Sequence, residues 1–147
     1  LSSDKSASKE LFRRVGAPTP QAWPEATYPL IAKPVSSSGS RGVKLLDNET
    51  DFKAFFGQTV PPGWVVEEYC PGPSYSLEVT GRPGAYRTWL PTALEMDEIY
   101  DCREVRAPAG LSDEEDRDFR DISVKIAEGL GLVGLRDVEA ILTPIGC

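Results

Sequence analysis

Lys33 closes a short apolar run, residues 28–32, and a Ser/Gly loop over residues 36–42 separates it from renewed strand character at residues 43–46. The pattern predicts a hairpin with a tip suited to phosphate. Glycine lets backbone N–H groups turn toward an anion, the hydroxyls of Ser36, Ser37, Ser38 and Ser40 add donors, and Lys33 and Arg41 add positive charge. A solvated turn is the plain alternative for a tip of this composition. Lys33 favours the anion site, because an ammonium in an apolar run requires an anionic partner. The other chemically capable set is acidic. Over residues 135–142 a strand period puts Asp137 and Glu139 on one face with Leu135 and Ile141, and Val138 and Ala140 on the other. The flanking pattern is that of a sheet interior, where two like charges require a cation: a divalent metal, an arginine or a substrate ammonium. An edge strand facing water is the alternative and requires none. Residues 74–80 alternate in the same way, with Ser74, Ser76 and Glu78 opposite Tyr75, Leu77 and Val79.

Composition narrows the chemistry. The 147 residues include no histidine, so Ser-His and Cys-His nucleophiles and His-ligated metals are excluded, leaving carboxylates, lysines, arginines and hydroxyls. The net charge of −7 gives no support to a nucleic-acid partner. No apolar run is long enough for a bilayer, and the first residues lack a signal-peptide pattern. Cys70, Cys102 and Cys147 are widely spaced and read as free thiols, which suits a reducing, cytoplasmic setting. Leu1 in place of Met is what a chain starting mid-protein would show.

The elements that must position these residues follow in order. A first helix is capped by Ser3, buries Leu11, Phe12 and Val15, and ends at Gly16 before Pro18 and Pro20. Lys5 and Lys9 lie one turn apart on it, a spacing typical of a solvated face rather than of a ligand unless another feature brings phosphate nearby. Asn48 caps a short helix over residues 49–56 with Asp51 at the capping-box position and Gly57 as its stop; Phe52, Phe55 and Phe56 read as core. Residues 64–69 form a strand, Cys70-Pro71-Gly72-Pro73 a turn, and residues 74–80 the next strand. Residues 86–94 and 98–102 are further strand candidates, interrupted by Pro91 and charges. Ser112, with Glu115 as capping-box partner, starts a helix with Phe119, Ile122 and Ile126 on one side and Gly129 and Gly131 at its end.

Taken in order, several segments resemble the ATP-grasp ligases: Ser-Asp-Lys leading a helix that ends Gly-Ala-Pro-Thr-Pro, Ile-Ala-Lys-Pro with its Ser/Gly loop, Val-Val-Glu-Glu-Tyr-Cys-Pro-Gly, and Asp-Val-Glu. Within that family, Ser-Leu-Glu-Val, Tyr-Asp-Cys and Gly-Leu-Arg-Asp-Val-Glu-Ala-Ile are most similar to the pyrrolysine-biosynthesis ligases, which join 3-methyl-D-ornithine to the ε-amine of L-lysine. The resemblance implies an α+β ATP-grasp fold. It divides the chain into a linker helix (1–20), a small subdomain with phosphate loop and hinge (21–73), and a large subdomain truncated at its C-terminus (74–147). It implies ATP and Mg2+ as cofactors and small amino acids as substrates. Lys5 and Lys33 then stand at the phosphate-contacting lysines, Ser37, Ser38, Gly39, Ser40 and Gly42 in the phosphate loop, and Glu67, Glu68, Tyr69 and Cys70 at the adenine hinge. Glu139 matches a magnesium carboxylate, and Ser76, Glu78 and Asp137 fall where the ornithine-type substrate is held. Ser74 stands where many family members carry a ribose-binding Glu.

The implied reaction is amide formation through an acyl phosphate, with no protein nucleophile. Another amino-acid ligase of the family, D-alanine–D-alanine-like or carbamoyl-phosphate-like, and a non-catalytic nucleotide-binding module stand as alternatives. As a central fragment lacking the second metal carboxylate, the chain is expected to bind ATP weakly, to lack ligase activity alone, and to expose apolar faces that pair between copies.

Overall fold

A computed structural model describes residues 5–36, 42–97 and 102–144, with side chains from Ala7 onward. Two antiparallel sheets organise the chain. The first has the order β2-β1-β3, from β1 (Leu30–Pro34), β2 (Lys44–Leu46) and β3 (Trp64–Glu68). One face of it packs Leu30, Ala32, Leu46 and Val66 against Phe52 of α2 (Glu49–Phe56). The Trp23 ring stacks on Phe52 at 4.6 Å between centroids and closes this core. Asn48 caps α2 by accepting from the Asp51 N–H at 3.1 Å, and Gly57 ends it at φ +77°, as expected from the sequence. Phe56 is partly buried, whereas Phe55 is 42% exposed and packs its ring edge-on against Phe56 and Trp64.

The second sheet is built around β4 (Ser74–Arg82). Along one side β4 pairs with β8 (Gly134–Ile141) over eight residue pairs; along the other it pairs with β6 (Thr92–Met96) and then β5 (Ala85–Thr88). The sheet continues beyond β6 to β7 (Cys102–Arg106). The expected strand over residues 86–94 is therefore two strands, because residues 89–91 leave the ladder with Pro91 buried between them. The candidate at 98–102 lies mostly outside the described residues, and the strand found there runs from Cys102 to Arg106.

Two helices cover one face of this sheet. α1 (Lys5–Val15) and α3 (Asp113–Leu130) join Leu11, Phe119, Ile126 and Ala127 to Tyr75, Leu77, Val79 and Val138 in one core. The Ser112–Glu115 capping box starts α3 as expected, and Gly131 in the left-handed conformation (φ +59°) ends it. Gly129 does not end the helix. It sits within α3 where α1 crosses: a Cβ there would lie 2.4 Å from Val15 Cγ1 and 3.1 Å from Leu11 Cδ1. The Arg14 guanidinium donates to the Gly129 carbonyl at 3.0 Å across the same contact. Among the described residues, no helix is long and apolar enough to cross a membrane.

The α1–α3 contact sets where α1 carries its side chains, so its tightness is testable. Gly129→Ala should gain about 1 kcal/mol in helix propensity and lose about 1–3 kcal/mol to overpacking against the β-branched Val15. The 2.4 Å approach makes the loss the larger effect. Urea unfolding should show net destabilisation.

Candidate functional site

The register of the first sheet decides which side chains can meet. Ile31 pairs with Glu67 and Lys33 with Val65, so these four share the face opposite the aromatic core. On that face Lys33 Nζ lies 2.6 Å from Glu67 Oε1, and the Lys9 ammonium, reaching over from α1, is ion-paired with Oε2. Glu67 is only 3% exposed. A carboxylate this deep is tolerable because a cation stands at each oxygen. Lys9 Nζ also donates to the Pro20 carbonyl at 3.5 Å. Burial first, then repulsion from Lys33 and Arg13, lowers the Lys9 pKa to about 8, so Lys9 remains cationic at neutral pH. Lys9 is thus no solvated surface lysine. The solvated face expected from its spacing with Lys5 is corrected here, and its place three residues before Phe12 puts it at the border of the apolar face.

The segment after β3 is pinned at both ends. The Glu68 N–H donates to the Gln21 carbonyl and the Tyr69 N–H to the Pro29 carbonyl, each at 2.9 Å. Beyond them, Gly72 passes the end of β8 so closely that a Cβ would sit 2.0 Å from the Leu142 carbonyl oxygen, and the Leu142 N–H donates to the Pro73 carbonyl. The expected Pro-Gly-Pro turn therefore joins the two sheets through a contact only glycine allows. Cys70 is a half-buried free thiol, held above its usual pKa by burial and by Glu68.

On the second sheet, Ser76 stands opposite Glu139 and Glu78 opposite Asp137, which places all four on one face of the β4–β8 pair. The Ser76 hydroxyl donates to Asp137 Oδ1. This face is not a sheet interior. Leu135 is 60% and Ile141 38% exposed, and Asp137 and Glu139 are exposed too. The core is taken from the other face, by Tyr75, Leu77, Val79 and Val138 against the helices. The buried acid pair expected from the apolar flanks is thus corrected to an open acidic face. Its charges still interact. Partial desolvation and then the charge of Asp137 raise the Glu139 pKa above the ordinary carboxylate value, while the charge of Lys33 pulls it back down.

Of the residues singled out from sequence, Lys33, Glu67, Glu68, Tyr69, Cys70, Ser76, Glu78, Asp137 and Glu139 are placed on this pair of faces or on the segment linking them. Gly42 is described at the return of the loop, at φ +79° beside Pro34. The side chain of Lys5, the capping residue Ser3, and Ser37, Ser38, Gly39, Ser40 and Arg41 lie outside the described residues, as does Cys147. Among the described residues, no three acidic or thiol side chains converge on one point. By donor type the residues suit the implied ligands: lysine ammoniums for phosphate oxygens, and the Glu139 carboxylate, made less stable as an anion by partial burial and then by Asp137, as one oxygen donor of the kind a hard divalent cation takes.

Comparison with known proteins bears on this geometry. The sequence profile described as the ATP-grasp domain matches residues 2–145. The chain belongs to the ATP-grasp domain family. It is 40% identical over 147 residues to the 3-methyl-D-ornithine–L-lysine ligase of Methanosarcina acetivorans, and 37% identical over 146 residues to that of Methanosarcina mazei. Each comparison covers 99% of this chain, which spans 36–37% of the length of those curated relatives. Among solved structures, it resembles the VanG D-Ala:D-Ser ligase of Enterococcus faecalis with a TM-score of 0.82 at 22% identity, covering 99% of this chain and 50% of that one. The biotin carboxylase domain of Hydrogenobacter thermophilus 2-oxoglutarate carboxylase, solved with MgADP, ADP and bicarbonate, gives a TM-score of 0.82 at 21% identity, covering 99% and 38%. These structural likenesses establish the ATP-grasp fold.

The electrostatics of the acidic face yield a pH prediction. Asp137→Asn removes one of the two effects holding Glu139 up, so the Glu139 titration followed by carboxyl NMR should move toward the ordinary value. With a folded pKa above the unfolded one, the folded state binds more protons over that interval, and Glu139 lowers stability as pH rises through it. The slope over that interval should flatten in Asp137→Asn.

Proposed function

We propose that the protein containing this chain is an ATP-dependent carboxylate–amine ligase. Its preferred reaction joins 3-methyl-D-ornithine, or D-ornithine, to the ε-amine of L-lysine. The observation that carries the reading is the two-lysine centre bridged by the buried Glu67 on one sheet, in a chain whose other sheet presents Ser76, Glu78, Asp137 and Glu139 together on one exposed face. Membership of the ATP-grasp family and the names of the Methanosarcina relatives support it.

In this reading Lys33, with Lys5 and the loop residues Ser37, Ser38, Gly39, Ser40 and Gly42, holds the ATP phosphates. The hinge, residues 67–70, lies along the base. A substrate carboxylate accepts the γ-phosphoryl group, and the amine of the second substrate then attacks the carbonyl and expels phosphate. The lysines offset the charge of the transferring group, the form of catalysis usual for phosphoryl transfer. Glu139 would hold magnesium, which when bound would neutralise phosphate charge. Ser76, Glu78 and Asp137 receive the ammonium groups of the ornithine-type substrate, and the Ser76 hydroxyl fixes the Asp137 carboxylate in place. We assign the protein to the cytoplasm on its free thiols and small-molecule chemistry, and its open apolar strand residues Leu135 and Ile141 to contacts with the remainder of the protein or a second copy.

Two measurements on the full-length protein test this. Amino-acid-dependent ADP release, screened with D-ornithine, lysine and D-alanine, should require D-ornithine and lysine together; release with D-alanine alone would favour a D-alanine–D-alanine-like ligase. In steady-state kinetics, Asp137→Asn and Glu78→Gln should raise KM for the ornithine-type substrate by ~10- to 100-fold, the scale of a lost charged hydrogen bond, and leave KM for ATP nearly unchanged. Glu139→Gln should instead depress kcat and shift the magnesium dependence. An Asp137→Asn variant altered only in magnesium dependence would contradict these roles.

A further inference from the structure

Glu67 begins the segment expected to run along the nucleotide base, yet its side chain is committed elsewhere. It projects from β3 on the Lys33 face, 3% exposed, with Lys33 2.6 Å from one carboxylate oxygen and Lys9 on the other. The three side chains come from three separate elements, α1, β1 and β3, so the carboxylate fixes the two ammoniums relative to each other. Without it, Lys9 and Lys33 would face one another partly buried and unscreened; their repulsion already helps lower the Lys9 pKa. With it, the centre carries two positive charges and one negative, a net positive charge that favours an incoming phosphate. An ammonium carries three N–H donors, so the bond to Glu67 does not preclude one from Lys33 to a phosphate oxygen.

We propose that Glu67 is a positioning residue for the phosphate-binding lysine: by bridging Lys9 and Lys33 it sets where the Lys33 ammonium stands, and it does not read the base. Lys9 thereby becomes part of the site as the counter-cation that keeps Glu67 from neutralising Lys33 completely. The inference rests on the ATP-ligase reading above. It predicts base-independent effects, because the lysine centre acts on phosphates and every nucleoside triphosphate carries the same ones.

The test is calorimetric titration of the full-length protein with ATP and with inosine triphosphate, whose base lacks the adenine amino group. Glu67→Gln should weaken both by about 10-fold, the scale of a mispositioned charged contact, with the ratio of the two Kd values unchanged within about twofold. Adding Lys9→Met to Glu67→Gln should recover part of the lost affinity, since it removes the unpaired cation that pushes on Lys33. Should Glu67→Gln fail to fold, Lys9→Met alone serves: with Glu67 left to Lys33 alone, both affinities should fall together. Loss of discrimination between the two nucleotides in Glu67→Gln would assign Glu67 to the base and overturn the proposal. Unchanged affinity for both in Glu67→Gln, or in Lys9→Met, would overturn it as well. A wild-type protein that binds neither nucleotide would overturn the ATP reading itself, and this inference with it.

Discussion

The buried carboxylate of Glu67, held between Lys9 and Lys33, is the constraint on which the site's geometry depends. Burying an ionised carboxylate is costly, and the cost is offset only when charged partners meet it at hydrogen-bonding distance. Each partner arrives from a different element. β1 supplies Lys33 through its register with β3, and α1 supplies Lys9 only because its far side is seated on α3, where Gly129 lets Val15 and Leu11 approach. The packing of the second sheet's helices thus fixes a charge on the first sheet. The two sheets are coupled through one ion-pair triad.

The second half of the site follows a different logic. Its carboxylates stay accessible because the β4–β8 pair turns its apolar residues to α1 and α3 and its polar residues outward. The Ser76–Asp137 hydrogen bond and the Glu78–Asp137 and Ser76–Glu139 pairings concentrate acids and hydroxyl on one exposed face. A buried anion locked by cations and an open anionic face are complementary: the first orders the protein's own lysines, and the second leaves room for cations from outside.

Much of this was legible in the sequence, for identifiable reasons. Strand alternation over residues 74–80 and 135–142 correctly grouped Ser76, Glu78, Asp137 and Glu139, because the side-chain period of a strand is fixed by the backbone. The caps Asn48 and Ser112 were visible because a side chain bonding to the backbone three residues on is a local event. Burial was less legible. The apolar neighbours Leu135 and Ile141 argued for a sheet interior, but which face a layer covers depends on where α1 and α3 pack, and nothing local encodes that. Lys9 read as solvated for the same reason, since its partner Glu67 is 58 residues away and the i,i+4 pattern with Lys5 is equally that of a solvated helix. The break at residues 89–91 was signalled by Pro91, but not the pairing of both resulting strands with one side of β4.

The most direct test of the account is a structure of the full-length protein with magnesium and a non-hydrolysable ATP analogue. Lys33 Nζ is expected within hydrogen-bonding distance of a phosphate oxygen, the Glu67 carboxylate still bridging Lys9 and Lys33, and Glu139 bound to the metal. A triphosphate seated away from Lys33, or a Glu67 side chain released from the lysines to the base, would contradict it.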